Sequence, residues 1–415
     1  MSWQLHLWQI ASRAVPLLAG PLLKKRMADG KEDPLRFREK LGEPSEARPE
    51  GKLVWLHAVS LGEVMALRGL IAAMHQAEPE TSYLLTSSTK ASAEVIALQM
   101  PPRTIHQFLP LDAPQYIARF LAHWRPNLSI WSEQDLWPNA VIAADKAGIP
   151  LALVNGRMHA PSFNKRQKLS GMYRNLLNRF ALIAAQDVAT AYHLQALGAQ
   201  GVEVTGALKA ASPPLDAPAD ELAKLAAEIE GRKPWLLASA HPEDDEIALK
   251  AALTLYQNDP KRLMIFAPRQ PKRAPMIRQR LRALGLSCAQ RSKGESPRDV
   301  AVFLADSFGE MGIWYRLAPV TLIGGSFGPV EGHNPWEPAA LGSAILHGPR
   351  VGNFPADFAQ LHAGGAAIEV MPDTIVAAIE DEATQVHCAE AAYQLTEAAR
   401  LGLPPLAQRL LELAR

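Results

Sequence analysis

Short apolar runs alternate with helical stretches twice along this chain, and that double alternation is what most narrows its fold. In the first half, residues 52–58 read as a buried strand and 63–76 as a helix, then 82–87 as a strand and 91–100 as a helix. Residues 128–132, 151–155, 181–185 and 202–206 read as further strands. Runs that are apolar throughout, rather than alternating, belong to strands buried on both faces, so the rhythm implies a parallel, doubly wound sheet. A proline-rich stretch at 207–220 interrupts it, with Pro213, Pro214 and Pro218 among small residues. The rhythm then restarts, with strands at 235–239, 262–267, 300–304, 320–324 and 343–346.

At 415 residues the chain is too long for one ordinary core, so two domains are expected. Segment 1–26 is set apart at the N-terminus, 27–206 forms one α/β domain and 207–220 a linker. Residues 221–390 form a second α/β domain, and 391–415 a C-terminal helix packing back on the first. Two such halves joined by a hinge place the site in a cleft between them, at the carboxyl ends of the strands.

Charge excludes little by itself. The formal net charge is +1, so nothing in the whole-chain field calls for nucleic acid, and none is expected as a partner. The two cysteines, Cys288 and Cys388, are too few for a disulfide framework and show no metal-ligand spacing. The N-terminus is more informative. Trp3, Leu5, Leu7, Trp8, Ile10, Leu17, Leu18, Leu22 and Leu23 are interrupted by Gln4, His6, Gln9, Arg13 and Pro16, and Lys24, Lys25 and Arg26 follow at once. Such a segment is marginal for spanning a bilayer and better suited to lying in its interface, on the cytoplasmic side. No small-residue cleavage site follows it. A second basic stretch holds Arg157, Lys165, Arg166, Lys168, Arg174 and Arg179 without an acidic residue, and is expected to help dock an anionic lipid or the membrane.

Five motifs fall at the ends of expected strands. Segment 57–63 (His-Ala-Val-Ser-Leu-Gly-Glu) puts Glu63 at a strand-to-helix turn, where it either caps the helix or accepts a proton from a substrate. Segment 131–139 follows a strand with Glu133 and Asp135 before Trp137-Pro138. Segment 268–273 holds Arg269 between Pro268 and Pro271, a planar fork suited to phosphate oxygens. Segment 306–311 carries Phe308, Gly309 and Glu310, with Gly309 at an expected helix start where backbone N–H groups hold phosphate. Segment 324–338 begins with Gly324, Gly325 and Ser326, which allow close backbone approach, and ends with Asn334, Pro335, Trp336 and Glu337, whose polar members suit ribose hydroxyls.

These motifs, in this order, resemble the 3-deoxy-D-manno-octulosonic acid (Kdo) transferases of lipid A assembly. Segments 155–157 (Asn-Gly-Arg) and 205–209 (Thr-Gly-Ala-Leu-Lys) carry the likeness too, as do Gly348-Pro349 and Asn353-Phe354. The resemblance covers the chain from end to end. It implies a GT-B glycosyltransferase with two Rossmann-like domains facing a cleft and an N-terminal membrane-associating helix. It implies inverting transfer from CMP-Kdo to a phosphorylated lipid A precursor at the cytoplasmic face of the inner membrane, with no metal and no further cofactor. By resemblance the catalytic base falls on Glu63, and the pair that stabilises the transition state on Glu133 and Lys209. CMP-sugar contacts fall on Pro268, Arg269, Phe308, Gly309, Glu310, Gly325, Ser326 and Asn334 to Glu337. The sequence departs from the family pattern at Asp135, Ala207, Gln270, Glu331 and Trp336. The alternatives are another GT-B nucleotide-sugar transferase or epimerase, or a non-catalytic membrane-bound protein that binds a sugar nucleotide.

Overall fold

The structure is a computed structural model that describes residues 2–98, 100–133 and 135–414, so Gln99 and Gln134 of the segments above lie outside the described residues. The chain divides into two compact units, Met1–Ser212 with Ala399–Arg415, and Pro213–Ala398.

The first unit is built on seven parallel strands: β1 (Leu53–His57), β2 (Ser82–Ser87), β3 (Thr104–Phe108), β4 (Leu128–Ser132), β5 (Leu151–Gly156), β6 (Leu182–Ala185) and β7 (Val202–Val204). Their order is β3-β2-β1-β4-β5-β6-β7. Period-two alternation sends Leu53 and Trp55 to one face and Val54 and Leu56 to the other, and each face is covered by its own core. Residues Leu403, Leu406, Ala407, Leu410 and Leu411, near the end of the last helix (Glu382–Leu413), complete the second of these cores beside Val64, Leu67 and Leu70.

The second unit repeats the plan with β8 (Lys233–Ala240), β9 (Arg262–Pro268), β10 (Cys288–Gln290), β11 (Val302–Leu304), β12 (Val320–Ile323), β13 (Ala344–His347) and β14 (Ile368–Glu369). Their order is β10-β11-β9-β8-β12-β13-β14, again all parallel. Strand order reverses direction between β1 and β4 in one sheet and between β8 and β12 in the other. Next to each such switch point the connections leave to opposite faces, which opens a crevice beyond the strand ends.

The N-terminal apolar segment forms two helices, Trp3–Ser12 and Val15–Ala28. The first docks on the first unit: Leu5 is fully buried, the Trp8 indole N–H donates to Asp112 (2.9 Å), and the Asn139 amide donates to the Ser12 hydroxyl (2.9 Å). Ala19 and Leu23 of the second helix are also buried, whereas Trp3, Leu7, Ile10, Leu17 and Leu18 are exposed. Among the described residues no helix is long and apolar enough to cross a membrane.

Candidate active site

At the switch point of the first sheet, β1 ends on His57 and the chain turns into the helix Leu61–Ala77. Ser60 caps that helix, and Glu63 answers it. The Glu63 carboxylate accepts from the backbone N–H of Val59 (2.9 Å), from the backbone N–H of Ser60 (3.3 Å) and from the Ser60 hydroxyl (2.7 Å). This is a capping box. Of the two roles open to Glu63 in the sequence, the helix cap is the one seen, and it holds the carboxylate just beyond the strand end. A carboxylate has about four acceptor positions, so three donors fix it and leave room for one more. His57 is a core residue. It bonds Thr86 through Nδ1 and packs edge-on against Trp131, and burial drives its pKa down to about 3, so it stays neutral.

Glu133 follows β4 with φ +61°, a left-handed conformation that costs a non-glycine residue about 1–2 kcal/mol. Its N–H bonds the Val154 carbonyl of β5 (3.1 Å), which holds the turn. Burial, then the negative charge of Glu63, pushes the Glu133 carboxyl up to about 7, against the pull of Lys209 and Arg157. Asn155 at the end of β5 is also left-handed and fully buried. Its side-chain oxygen accepts from Gln186 (2.9 Å) and from the Leu208 backbone N–H (2.9 Å). That second bond pins the segment carrying Lys209, whose ammonium reaches the first turn of the Glu63 helix: a Cβ placed on Gly62 would lie 3.7 Å from Lys209 Nζ. Glu63, Glu133 and Lys209, which the family resemblance singles out, are brought into one electrostatic cluster. Arg157 joins it, and Asn155 is its bracket.

In the second unit, Ser239, next to last in β8, is in the left-handed region, and His241 precedes the helix Pro242–Asn258. Asp244 accepts from the N–H of His241 (2.8 Å) and of Gly325 (2.6 Å), tying the β8 turn to the β12 turn. Gly324 is compelled by this closeness, since a Cβ there would come within 2.5 Å of the Ala238 and Ser239 carbonyls. Pro268 is buried at the end of β9 and Arg269 is exposed beyond it, with its N–H on the Ala240 carbonyl (3.0 Å). The charge of Arg269 is felt by His241, His333 and Glu337, which places all four residues around one locus. Arg273 is spent internally, on the Ala240 carbonyl and on Asp245.

The remaining residues divide by whether their polar atoms are available. Phe308 is 76% exposed and Gly309 adopts φ +83° in the turn after β11. The helix begins at Met311, two residues later than the sequence placed it, with Glu310 as its cap. Glu310 is bound by the Arg291 guanidinium through contacts of 2.6–3.1 Å. Gly325 presents no side chain, and its carbonyl receives the Gly332 N–H (3.0 Å). Ser326 is fully buried, donating to Ile323 O and accepting from Gly348 N. Asn334 accepts from the Trp336 N–H (3.2 Å) and points its amide toward Glu337 (3.4 Å). Pro335 precedes the short helix Trp336–Ala339. Trp336 is core, its indole donating to Asp357 (2.7 Å). Burial raises the Glu337 carboxyl's pKa, countered by Asn334, Tyr315 and Arg269.

Comparison with known proteins matches the chain to a family. Residues 35–212 fit the model of the 3-deoxy-D-manno-octulosonic-acid transferase (kdotransferase) domain. The "Probable 3-deoxy-D-manno-octulosonic acid transferase, mitochondrial" of Arabidopsis thaliana is 36% identical over 356 residues, covering 82% of this chain and 80% of that protein. The 3-deoxy-D-manno-octulosonic acid transferase of Haemophilus influenzae is 30% identical over 346 residues, 81% of each chain. In fold, the chain is similar to a UDP-N-acetylglucosamine 2-epimerase of Listeria monocytogenes (TM-score 0.58, 14% identity, 87% of this chain and 98% of that one). It is also similar to MurG of Acinetobacter baumannii (TM-score 0.52, 13% identity, 87% and 100%). Identity across most of both chains, on two Rossmann-like sheets of the GT-B kind, leads to one conclusion: this chain belongs to the 3-deoxy-D-manno-octulosonic acid transferase family of glycosyltransferases.

Proposed function

We propose that the chain transfers Kdo from CMP-Kdo to a phosphorylated lipid A precursor, with inversion, at the cytoplasmic face of the inner membrane. The observation that carries this reading is the Glu63–Glu133–Lys209 cluster at the switch point of the first sheet, in a chain of this family. Glu63 accepts the proton of the acceptor hydroxyl as the new glycosidic bond forms, and its three fixed donors hold it at the strand end for that step. Lys209 and Glu133 stabilise the charge that develops at the sugar. Arg269, exposed at the end of β9, takes the phosphate of departing CMP, with Phe308, Gly309 and segment 334–337 around the nucleotide. Cationic side chains offset the leaving-group charge in this scheme, so it requires no divalent ion. The exposed apolar side chains of the two N-terminal helices, with Lys24 and Lys25, rest on the membrane surface.

The test is incubation with CMP-Kdo and a tetraacylated, bisphosphorylated lipid acceptor, followed by mass measurement of the lipid. A gain of Kdo is expected, with CMP released only when acceptor is present. CMP release that does not depend on acceptor, or no change in lipid mass, overturns the reading. Glu63→Ala should abolish transfer while CMP still binds. One observation favours a second assignment of the base: Glu133, with its pKa near 7, has the basicity best matched to neutral pH. Turnover that survives Glu63→Ala and is lost in Glu133→Ala would move the role there.

A further inference from the structure

The outer strands of the second sheet carry a cluster that the transfer reaction does not use. His347 is the last residue of β13 and Glu369 the last of β14, and the parallel register sets them directly opposite each other. His362 enters from the last turn of the helix Pro355–Ala363. Its Nε2 lies 2.8 Å from Nε2 of His347. One ligand atom from each of the three residues lies within 4.8 Å of the others. Three separate elements therefore converge two imidazoles and a carboxylate on one point.

The tautomer of His347 follows from its other nitrogen. Nδ1 lies 2.6 Å from the Gly348 carbonyl oxygen, which can only accept, so Nδ1 carries the hydrogen. Nε2 then holds a lone pair aimed at His362. Metal-binding histidines are oriented in this way, with the far nitrogen donating to a carbonyl or carboxylate. Glu369 and His362 are exposed while His347 is buried, so one ligand is fixed and two can adjust.

We propose that His347, His362 and Glu369 form a zinc site that fastens β14 and the helix Pro355–Ala363 to β13. Two imidazoles and a carboxylate are a known zinc donor set, leaving a fourth position for water. Tetrahedral ligands at about 2.0–2.1 Å from zinc sit about 3.3 Å apart, so the two Nε2 atoms must separate by about half an ångström. Rotation of the exposed His362 ring supplies this. The hydrogen on His362 moves from Nε2 to Nδ1 as the metal enters, so no proton need leave the protein. The C-terminal end of a helix also favours positive charge. The site adjoins Gly348, whose N–H bonds Ser326, so the metal stiffens the strand end that supports the Gly324–Gly325 turn.

The experiment uses the full chain, free of any affinity tag and stripped with a chelator, titrated with Zn²⁺ alone against a chromophoric competitor. Uptake of one equivalent and a rise of several degrees in melting temperature are expected. Co²⁺ should give the visible absorption of a tetrahedral site. His362→Ala and Glu369→Gln, both at exposed positions, should each weaken Zn²⁺ affinity at least about tenfold and remove the thermal shift while circular dichroism stays unchanged. Absence of stoichiometric uptake overturns the proposal. So does an unchanged affinity in His362→Ala, which would send the metal to another pair such as His241 and His333. None of these readouts depends on Kdo transfer.

Discussion

The imidazoles of His241 and His333 lie nearly parallel, 16° between planes and 5.1 Å between centroids, with their Nε2 atoms 2.9 Å apart. One ring donates to the other only while at least one of them is neutral, and with both charged neither can accept. Burial, then the neighbouring His241 and Arg269, lowers the His333 pKa to about 4. Burial lowers that of His241 as well. A base whose folded pKa is depressed contributes stability that is present above its unfolded pKa and lost as pH falls through the folded one. Stability should therefore decline between about pH 6.5 and pH 4. His333→Gln should flatten that decline by roughly 1–3 kcal/mol, with the lower figure favoured because solvent reaches the ring. Urea unfolding of both proteins at half-unit pH steps measures it, and parallel pH profiles would refute the assignment.

Glu133 runs the other way. Its folded pKa is raised to about 7, so its contribution is full below the ordinary carboxylate range and is lost as pH rises through neutrality. Glu133→Gln keeps the shape and removes the charge. It should match the parent near pH 4.5 and exceed it by roughly 1–3 kcal/mol at pH 8. The same variant should transfer sugar poorly, because the charge that destabilises the fold is the one proposed to act on substrate. A variant no more stable than the parent at pH 8 would mean that Glu133 is not held in the folded state as described.

Ser60 offers a test of positioning apart from chemistry. Its hydroxyl both accepts from the Glu63 N–H and donates to the Glu63 carboxylate. Ser60→Ala removes an N-cap, a loss of about 1 kcal/mol. It also frees Glu63 from one of its three donors. Melting temperature should fall by a few degrees, kcat should drop, and CMP affinity should not move. A kcat equal to that of the parent would show that the capping box serves the helix alone.

Glu331, just before Gly332, adopts φ +59°, a left-handed conformation that glycine takes without strain. Left-handed strain of about 1–2 kcal/mol exceeds the 0.5–1 kcal/mol that glycine's greater chain freedom costs, while the exposed pair with Arg350 contributes about 0–1 kcal/mol. Glu331→Gly should therefore be neutral to stabilising by up to about 1 kcal/mol, read by chemical denaturation. A clear loss of stability would mean that the Arg350 contact outweighs the strain.

Strands buried on both faces were legible in the sequence because burial on both sides leaves a continuous apolar signature, as in Leu53–His57 and Leu128–Ser132. The edge strands Thr104–Phe108, Cys288–Gln290 and Ile368–Glu369 carry no such run. In β3, His106 and Gln107 are buried through distant partners, the Ser87 hydroxyl (2.9 Å) and the Trp124 indole (2.8 Å), which no local pattern reveals. The site shows the same division. Glu133 and Arg269 directly follow strands and Glu63 lies in the first turn of the helix after one, where position marks them, whereas Lys209, five residues beyond β7, was picked out by the family resemblance alone. The inward commitments of Glu310 to Arg291, Ser326 to Gly348 and Trp336 to Asp357 bridge 19 to 22 residues of sequence and became visible only in three dimensions. Asn155 could have been found from the same strand-end rule that singled out Glu133, since β5 pairs directly with β4.

The membrane contact proposed for the N-terminal helices can be tested apart from folding. Leu17 and Leu18 are 80% and 69% exposed, so neither supports the core. Leu5, by contrast, is fully buried beside Met172 and Leu176 and holds the first helix in place. Transfer of a leucine side chain from water to an apolar phase is worth about 1.5–3 kcal/mol, and a charge at the same place reverses the sign. Leu17→Asp with Leu18→Asp should therefore reduce binding to vesicles containing anionic phospholipid at least about tenfold, with the melting temperature unchanged. The basic stretch adds less than its composition implies, because Arg166 is paired with Asp135 (3.1 Å) and packed on Tyr173, and Arg179 is paired with Asp145. Lys165, Lys168 and Arg174 are the exposed members, and joint replacement of the two lysines should weaken vesicle binding only modestly, and less as salt rises. If the leucine variant binds as the parent does and the lysine variant does not, the anchor is electrostatic and the apolar face of the two helices serves another contact.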